Sequence, residues 1–97
     1  MFEKRETMIS GCFELQPQVL TDTRGRFVKT YHAEYFASNE LETDFQEHYY
    51  SVSRKGVLRG MHFQNPPNGH NKLVYCTIGT ILDVVVDLRV ESPSYLA

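Results

Sequence analysis

The chain is short of cysteine, of excess positive charge and of long apolar runs, and each shortage removes a class of function. Its two cysteines, Cys12 and Cys76, form no CxxC pair, so neither a zinc site nor a redox motif is suggested. They read as reduced, intracellular thiols. A net charge of -2 gives no reason to expect nucleic acid or an anionic membrane as partner. No run approaches membrane-spanning length. The opening Met1-Phe2-Glu3-Lys4-Arg5-Glu6-Thr7 is charged with no apolar stretch behind it, so no secretory signal is expected. A cytoplasmic location follows as an expectation. There is no internal repeat, linker or low-complexity stretch.

What is present reads as strand. At 97 residues the chain makes one domain at most, with a thin stability margin. Residues 11–15 form a short apolar segment that ends before Pro17. Thr21-Asp22-Thr23-Arg24-Gly25 carries turn chemistry. Residues 26–31 alternate, with Phe27 and Val28 on opposite faces. Residues 33–39 predict one or two helical turns with Tyr35 and Phe36 packed inward. Residues 46–53 are rich in Tyr, Val and Ser, which suits a pleated surface. Lys55-Gly56 ends that strand, and residues 57–64 follow as the next. Asn65-Pro66-Pro67-Asn68-Gly69 predicts a rigid loop that cannot pair in a sheet. Residues 72–78 and 81–88 flank Gly79-Thr80, the clearest hairpin signal in the chain.

Short strands with frequent turns predict an all-β, antiparallel sandwich or barrel. A jelly roll closes with eight strands, and roughly six candidates are found here. Residues 92–97 read as a loop that closes nothing. The expectation is the first part of a domain, with an unprotected sheet edge.

The most informative run is Gly56-Val57-Leu58-Arg59-Gly60-Met61-His62-Phe63-Gln64, followed by Lys72. An imidazole and two fixed cations on adjacent segments suit proton chemistry on an anionic substrate. Cupin metal sites need an HxH pair with a further carboxylate and histidine. Gln64 stands where the second histidine would fall, which argues against a metal and against dioxygenase chemistry. No metal and no other cofactor is expected. Asp83, Asp87 and Arg89 alternate on one face and predict a structural ion pair. His32, His48 and His70 read as ordinary surface residues.

These pieces are collinear with a known pattern. Asp22-x-Arg24-Gly25-x-Phe27, Ser51-x-Ser53-x-x-Gly56 leading into the run above, Pro66-Pro67, Lys72-Leu73-Val74 and Asp83-Val84-x-Val86-Asp87-Leu88-Arg89-x-x-Ser92-Pro93 resemble the N-terminal half of the dTDP-4-dehydrorhamnose 3,5-epimerase family. The resemblance implies that residues 1–97 are the N-terminal part of one cupin, or jelly-roll, domain of an isomerase acting on nucleotide sugars. It implies epimerisation of a nucleotide-linked 4-keto-6-deoxyhexose at C3, C5 or both. His62 then matches the catalytic base and Lys72 the lysine beside the keto oxygen. Arg59 matches an arginine that binds the diphosphate. Arg24 and Phe27 match the motif that helps build the nucleotide pocket, often across a dimer interface, so a homodimer is implied. The family's opposing tyrosine acid and the aspartate that orients the histidine match nothing in these residues, so the 97-residue chain is expected to be inactive alone.

Four positions depart from the pattern of the rhamnose-pathway members. Glu47 and Tyr49 stand where those members commonly have Gln and Asn, and both are taken as substrate-binding. Lys29 replaces an acid and His70 a glutamine. Changes of charge and size beside a pocket alter which sugar or base fits. Two other readings remain: a nucleotide-sugar ketoisomerase on the same fold, and a non-catalytic remnant or interaction module.

Overall fold

Five residues at the amino terminus alternate in a way that charge conceals. In the computed structural model, which describes residues 1–66 and 69–97, they form strand β1, Phe2–Glu6. Phe2 and Lys4 turn inward, while Glu3 and Arg5 face solvent and pair at 3.2 Å. Lys4 behaves as an amphipath. Its ammonium sits 4.2 Å from the centroid of the Phe13 ring and donates to the Asn39 carbonyl at 2.8 Å. The sequence reading placed no strand in this charged start, because Lys4 takes an inward position that an apolar residue would mark.

Strand β2, Phe13–Pro17, pairs antiparallel with β1, from Phe2 opposite Pro17 to Glu6 opposite Phe13. It runs two residues further than the sequence reading, because a proline is tolerated at the end of an edge strand. The connection is pinned by Thr7, whose hydroxyl donates to the Cys12 carbonyl at 2.7 Å. A second hairpin joins β3, Val19–Asp22, to β4, Gly25–Val28, with Asp22 opposite Gly25. The expected turn is present. The Asp22 carboxylate accepts the Arg24 amide at 2.8 Å, which is how a short acid stabilises a tight reversal.

Helix α1, Ala33–Ser38, occupies the expected place. The His32 side chain caps it by accepting from the Tyr35 amide, and Glu34 in the first turn suits the helix dipole. So His32 is a structural cap rather than a plain surface residue. At the other end Glu40 donates to the Ala37 carbonyl and Leu41 to the Phe36 carbonyl. That pair of bonds is the Schellman motif, and it puts Glu40 at φ +58°. Phe36, 2 % exposed, is the one buried apolar residue among those described. Phe2 and Tyr31 meet its ring edge-on, at 5.2 and 4.7 Å between centroids, and Tyr31 continues to Phe45. The Tyr35 hydroxyl ties the helix to β1 through the Phe2 carbonyl at 3.0 Å.

The regular structure is therefore all-β and antiparallel, with one short helix. It is confined to residues 2–38. The four strands expected over residues 46–53, 57–64, 72–78 and 81–88 form no ladder among the described residues. Their turns survive: Val57 donates to the Arg54 carbonyl across Lys55-Gly56, and Gly56 and Gly79 both take positive φ. What is missing is a layer to cover them. Leu58, Ile78 and Leu82 are each more than 90 % exposed. An isolated hairpin with no buried face is marginal in water. Pro67 and Asn68 of the expected rigid loop lie outside the described residues.

The carboxyl-terminal residues do close something, against expectation. Asp87, 4 % exposed, accepts from Arg89 Nε at 2.8 Å and from the Ser94 hydroxyl at 2.7 Å. Ser94 Oγ in turn accepts the Ser10 amide at 2.9 Å, and Arg89 donates to the Ser10 carbonyl. This clasp joins the loop after β1 to residues 87–94. The Arg89 guanidinium, helped by Ser92 and Ser94, holds the Asp87 carboxyl far below the usual carboxylate range. The expected Asp87–Arg89 ion pair is thus present, and Asp83 stands outside it, exposed.

Candidate functional site

Residues 47–49, 62–64 and 69–72 approach one another. Together they border a cleft of about 730 Å³ lined by Glu47, Tyr49, His62 and Lys72, with Phe63, Gln64, Gly69 and His70 completing the wall. Four of the seven residues singled out from sequence are thereby brought to one place. The period of two in a strand-like segment accounts for Glu47 and Tyr49 sharing a side. Gly60, at φ +124°, supplies a backbone turn between Arg59 and His62 that a side chain would disfavour.

The cleft holds one carboxylate, from Glu47, against the ammonium of Lys72 and two imidazoles. The aromatic rings of Tyr49 and Phe63 offer flat apolar surface beside them. No hydrogen bond or ion pair joins His62 or Lys72 to another described residue. The His62 imidazole and the Lys72 ammonium are open to a ligand.

Three predicted residues lie elsewhere. Arg59 donates from Nε to the Ser53 hydroxyl at 2.9 Å, away from the cleft wall. Arg24 is engaged by Asp22, whose carboxyl is lowered from its ordinary value chiefly by that guanidinium; the guanidinium is raised in turn. Phe27, on β4 beside them, is 60 % exposed. The β3–β4 hairpin thus presents Arg24 and Phe27 to solvent, and neither lines the cleft.

His70 is exposed, as expected of a surface residue, and it also lines the cleft with His62. The signal for it was positional: it precedes Lys72 by two residues. A second concavity of about 590 Å³, between Met1, Lys29, His32 and the first turn of α1, contains none of the predicted catalytic residues. Its chemistry is that of a helix end, and the cleft at His62 is the better candidate. Among the described residues no three His, Cys, Asp or Glu side chains are grouped to hold a metal ion. No helix among them is long and apolar enough to cross a membrane.

The sequence profile of the dTDP-4-dehydrorhamnose 3,5-epimerase family matches residues 6–97. The chain is 41% identical over 93 residues to the dTDP-4-dehydrorhamnose 3,5-epimerase of Salmonella typhimurium, covering 93% of this chain and 50% of that protein. It is 44% identical over 91 residues to the enzyme of the same name from Methanothermobacter thermautotrophicus, covering 93% and 48%. It is 43% identical over 88 residues to a dTDP-4-dehydrorhamnose 3-epimerase from Streptomyces niveus, covering 90% and 42%. The chain spans about half the length of these relatives. With the profile matched along nearly all of its residues, the chain belongs to the dTDP-4-dehydrorhamnose 3,5-epimerase family.

Proposed function

We propose that this chain is the base-bearing half of a cupin nucleotide-sugar epimerase acting on a nucleoside-diphosphate 4-keto-6-deoxyhexose. The observation that carries the reading is the convergence of His62 and Lys72 on one cleft with Glu47 and Tyr49. A C–H bond next to a ketone is weakly acidic. An imidazole takes that proton as the bonding pair moves into the ring and onto the carbonyl oxygen. The Lys72 ammonium stabilises the enolate oxygen as its charge grows. Return of a proton to the opposite face of the carbon inverts it. That proton comes from an acid across the cleft, outside the residues assigned here.

Glu47 and Tyr49 line the sugar end, and a carboxylate there accepts hydrogen bonds from substrate hydroxyls. Arg59 supplies a guanidinium for the diphosphate, whose oxygens suit its planar donors. Arg24 and Phe27 project from their hairpin toward the nucleotide site of a second protomer, making the working form a homodimer. No cofactor takes part in this scheme. The two unpaired thiols favour a cytoplasmic setting.

The test joins residues 1–97 to the remaining half of the Salmonella relative and supplies a dTDP-4-keto-6-deoxyhexose in deuterated water. The proposal expects deuterium at C3, C5 or both, with the carbonyl still at C4. A carbonyl moved to C3 would establish a ketoisomerase instead. No exchange at any carbon would leave a non-catalytic remnant.

A further inference from the structure

The polar groups of the cleft at His62 differ in what they offer a ligand. The Lys72 ammonium only donates hydrogen bonds. The Tyr49 hydroxyl, the Gln64 amide and the neutral imidazoles of His62 and His70 both donate and accept. Glu47 is the one carboxylate among the described residues of the wall, and when ionised it only accepts. The acids before it in the chain are engaged by neighbours: Asp44 accepts from the Gln46 side chain at 2.6 Å and Glu42 from the Asn71 side chain at 3.4 Å. Glu47 lines the cleft instead.

A carboxylate in this place constrains what lies against it. It repels a diphosphate, because juxtaposed like charges oppose binding, so its place is beside the sugar. In the epimerase reading His62 takes a proton from a carbon flanking the ketone, and Lys72 meets the keto oxygen at C4. The substituents nearest these two groups are those of C3 and C5. C5 carries a methyl group and the ring oxygen, neither of which donates a hydrogen bond. C3 carries a hydroxyl, which does.

We propose that Glu47 is a specificity-determining residue: it requires a hydrogen-bond donor on C3 of the sugar, a hydroxyl or an amine, and rejects a sugar without one. This rests on the epimerase reading of the same cleft and narrows the class of sugar it takes. A donorless C3 leaves the carboxylate desolvated and unpaired, which costs more than a missing contact. The glutamine common at this position in the rhamnose-pathway members is less strict. Its amide donates and accepts, and turns to match either kind of substituent. The carboxylate has no such freedom.

The test is titration calorimetry of residues 1–97 joined to the remaining half of the Salmonella relative. Two unreactive ligands serve, dTDP-6-deoxyglucose and its analogue with fluorine in place of the C3 hydroxyl. Fluorine is close to a hydroxyl in size and cannot donate. The parent is expected to bind the hydroxyl ligand at least about tenfold more tightly than the fluoro ligand. Glu47→Gln is expected to bring that ratio to within about threefold, and so is Glu47→Ala, which removes the acceptor. Circular dichroism checks that both variants fold as the parent does. A parent ratio near one, with deuterium exchange at C3 or C5 intact, would overturn this proposal alone, as would a tenfold ratio that persists in both variants. Failure of the parent to bind either ligand would overturn it together with the epimerase reading.

Discussion

His62 and Lys72 open onto the same cleft although a proline-containing loop separates them in the chain. Both side chains line one concave space of about 730 Å³. Neither residue belongs to a hydrogen-bonded strand.

Glu40 occupies a left-handed conformation at φ +58° to complete the cap of α1. An L-residue there costs about 1–2 kcal/mol relative to a relaxed backbone, and glycine escapes most of that cost. Glu40→Gly is expected to stabilise the folded state by about 1 kcal/mol. Urea denaturation followed by tyrosine fluorescence measures it. Destabilisation of similar size would contradict the capping assignment.

Phe36 is the centre of the aromatic cluster with Phe2, Tyr31 and Tyr35. Truncating a buried phenylalanine to alanine commonly costs about 3–5 kcal/mol. A chain with so little other core is expected to lose α1 and its contact with β1 altogether in Phe36→Ala. Far-ultraviolet circular dichroism and the ring-current shifts of the Phe2 resonances report the loss. Unchanged shifts would show that the cluster does not hold the helix.

The Asp87 clasp is expected to fail only in acid. Its carboxyl is depressed by the Arg89 guanidinium and by the two serines, so protonation is harder in the folded state than in the unfolded one. Stability from a depressed carboxyl is fully present above the unfolded value, about 3.9, and is lost as pH falls from there toward the folded value. The Ser10 amide, which donates to Ser94 Oγ, should keep a constant chemical shift from neutrality to about pH 5 and move only well below pH 4. Asp87→Asn should remove that acid transition. A midpoint near pH 6 would contradict the clasp geometry.

Local chemistry was legible in the sequence where it acted over a few residues. The Asp22-to-Gly25 turn, the helix with Phe36 inward and the Asp87–Arg89 pair all follow from short-range patterns. β1 was missed because Lys4 does the work of an apolar residue, burying its stem against Phe13 while its ammonium finds a carbonyl. Four strands over residues 46–88 were expected from alternation, yet alternation marks only a face that wants burial. With nothing laid against Leu58 or Leu82, no ladder forms. The same limit explains the site. Motif and spacing selected His62 and Lys72, whereas His70, read from sequence only as a departure from the family pattern, lines the cleft as well.

Catalysis by the assembled domain is expected to survive removal of metal ions. Gln64 offers an amide where a metal-binding cupin would need an imidazole. Exhaustive chelation followed by elemental analysis should leave the exchange rate of the joined protein unchanged. A stoichiometric metal whose loss stops exchange would reverse the reading.

The central claim is that His62 removes the proton next to the ketone. Solvent-deuterium incorporation by residues 1–97 joined to the remaining half of the Salmonella relative measures that step directly, with His62→Ala compared against the parent. Loss of a member of a cooperative catalytic set commonly costs several orders of magnitude. The account predicts a fall of at least about a thousandfold in exchange at the inverted carbon, with nucleotide binding retained, and no turnover by the 97-residue chain alone. Exchange at the parent rate in His62→Ala would contradict it.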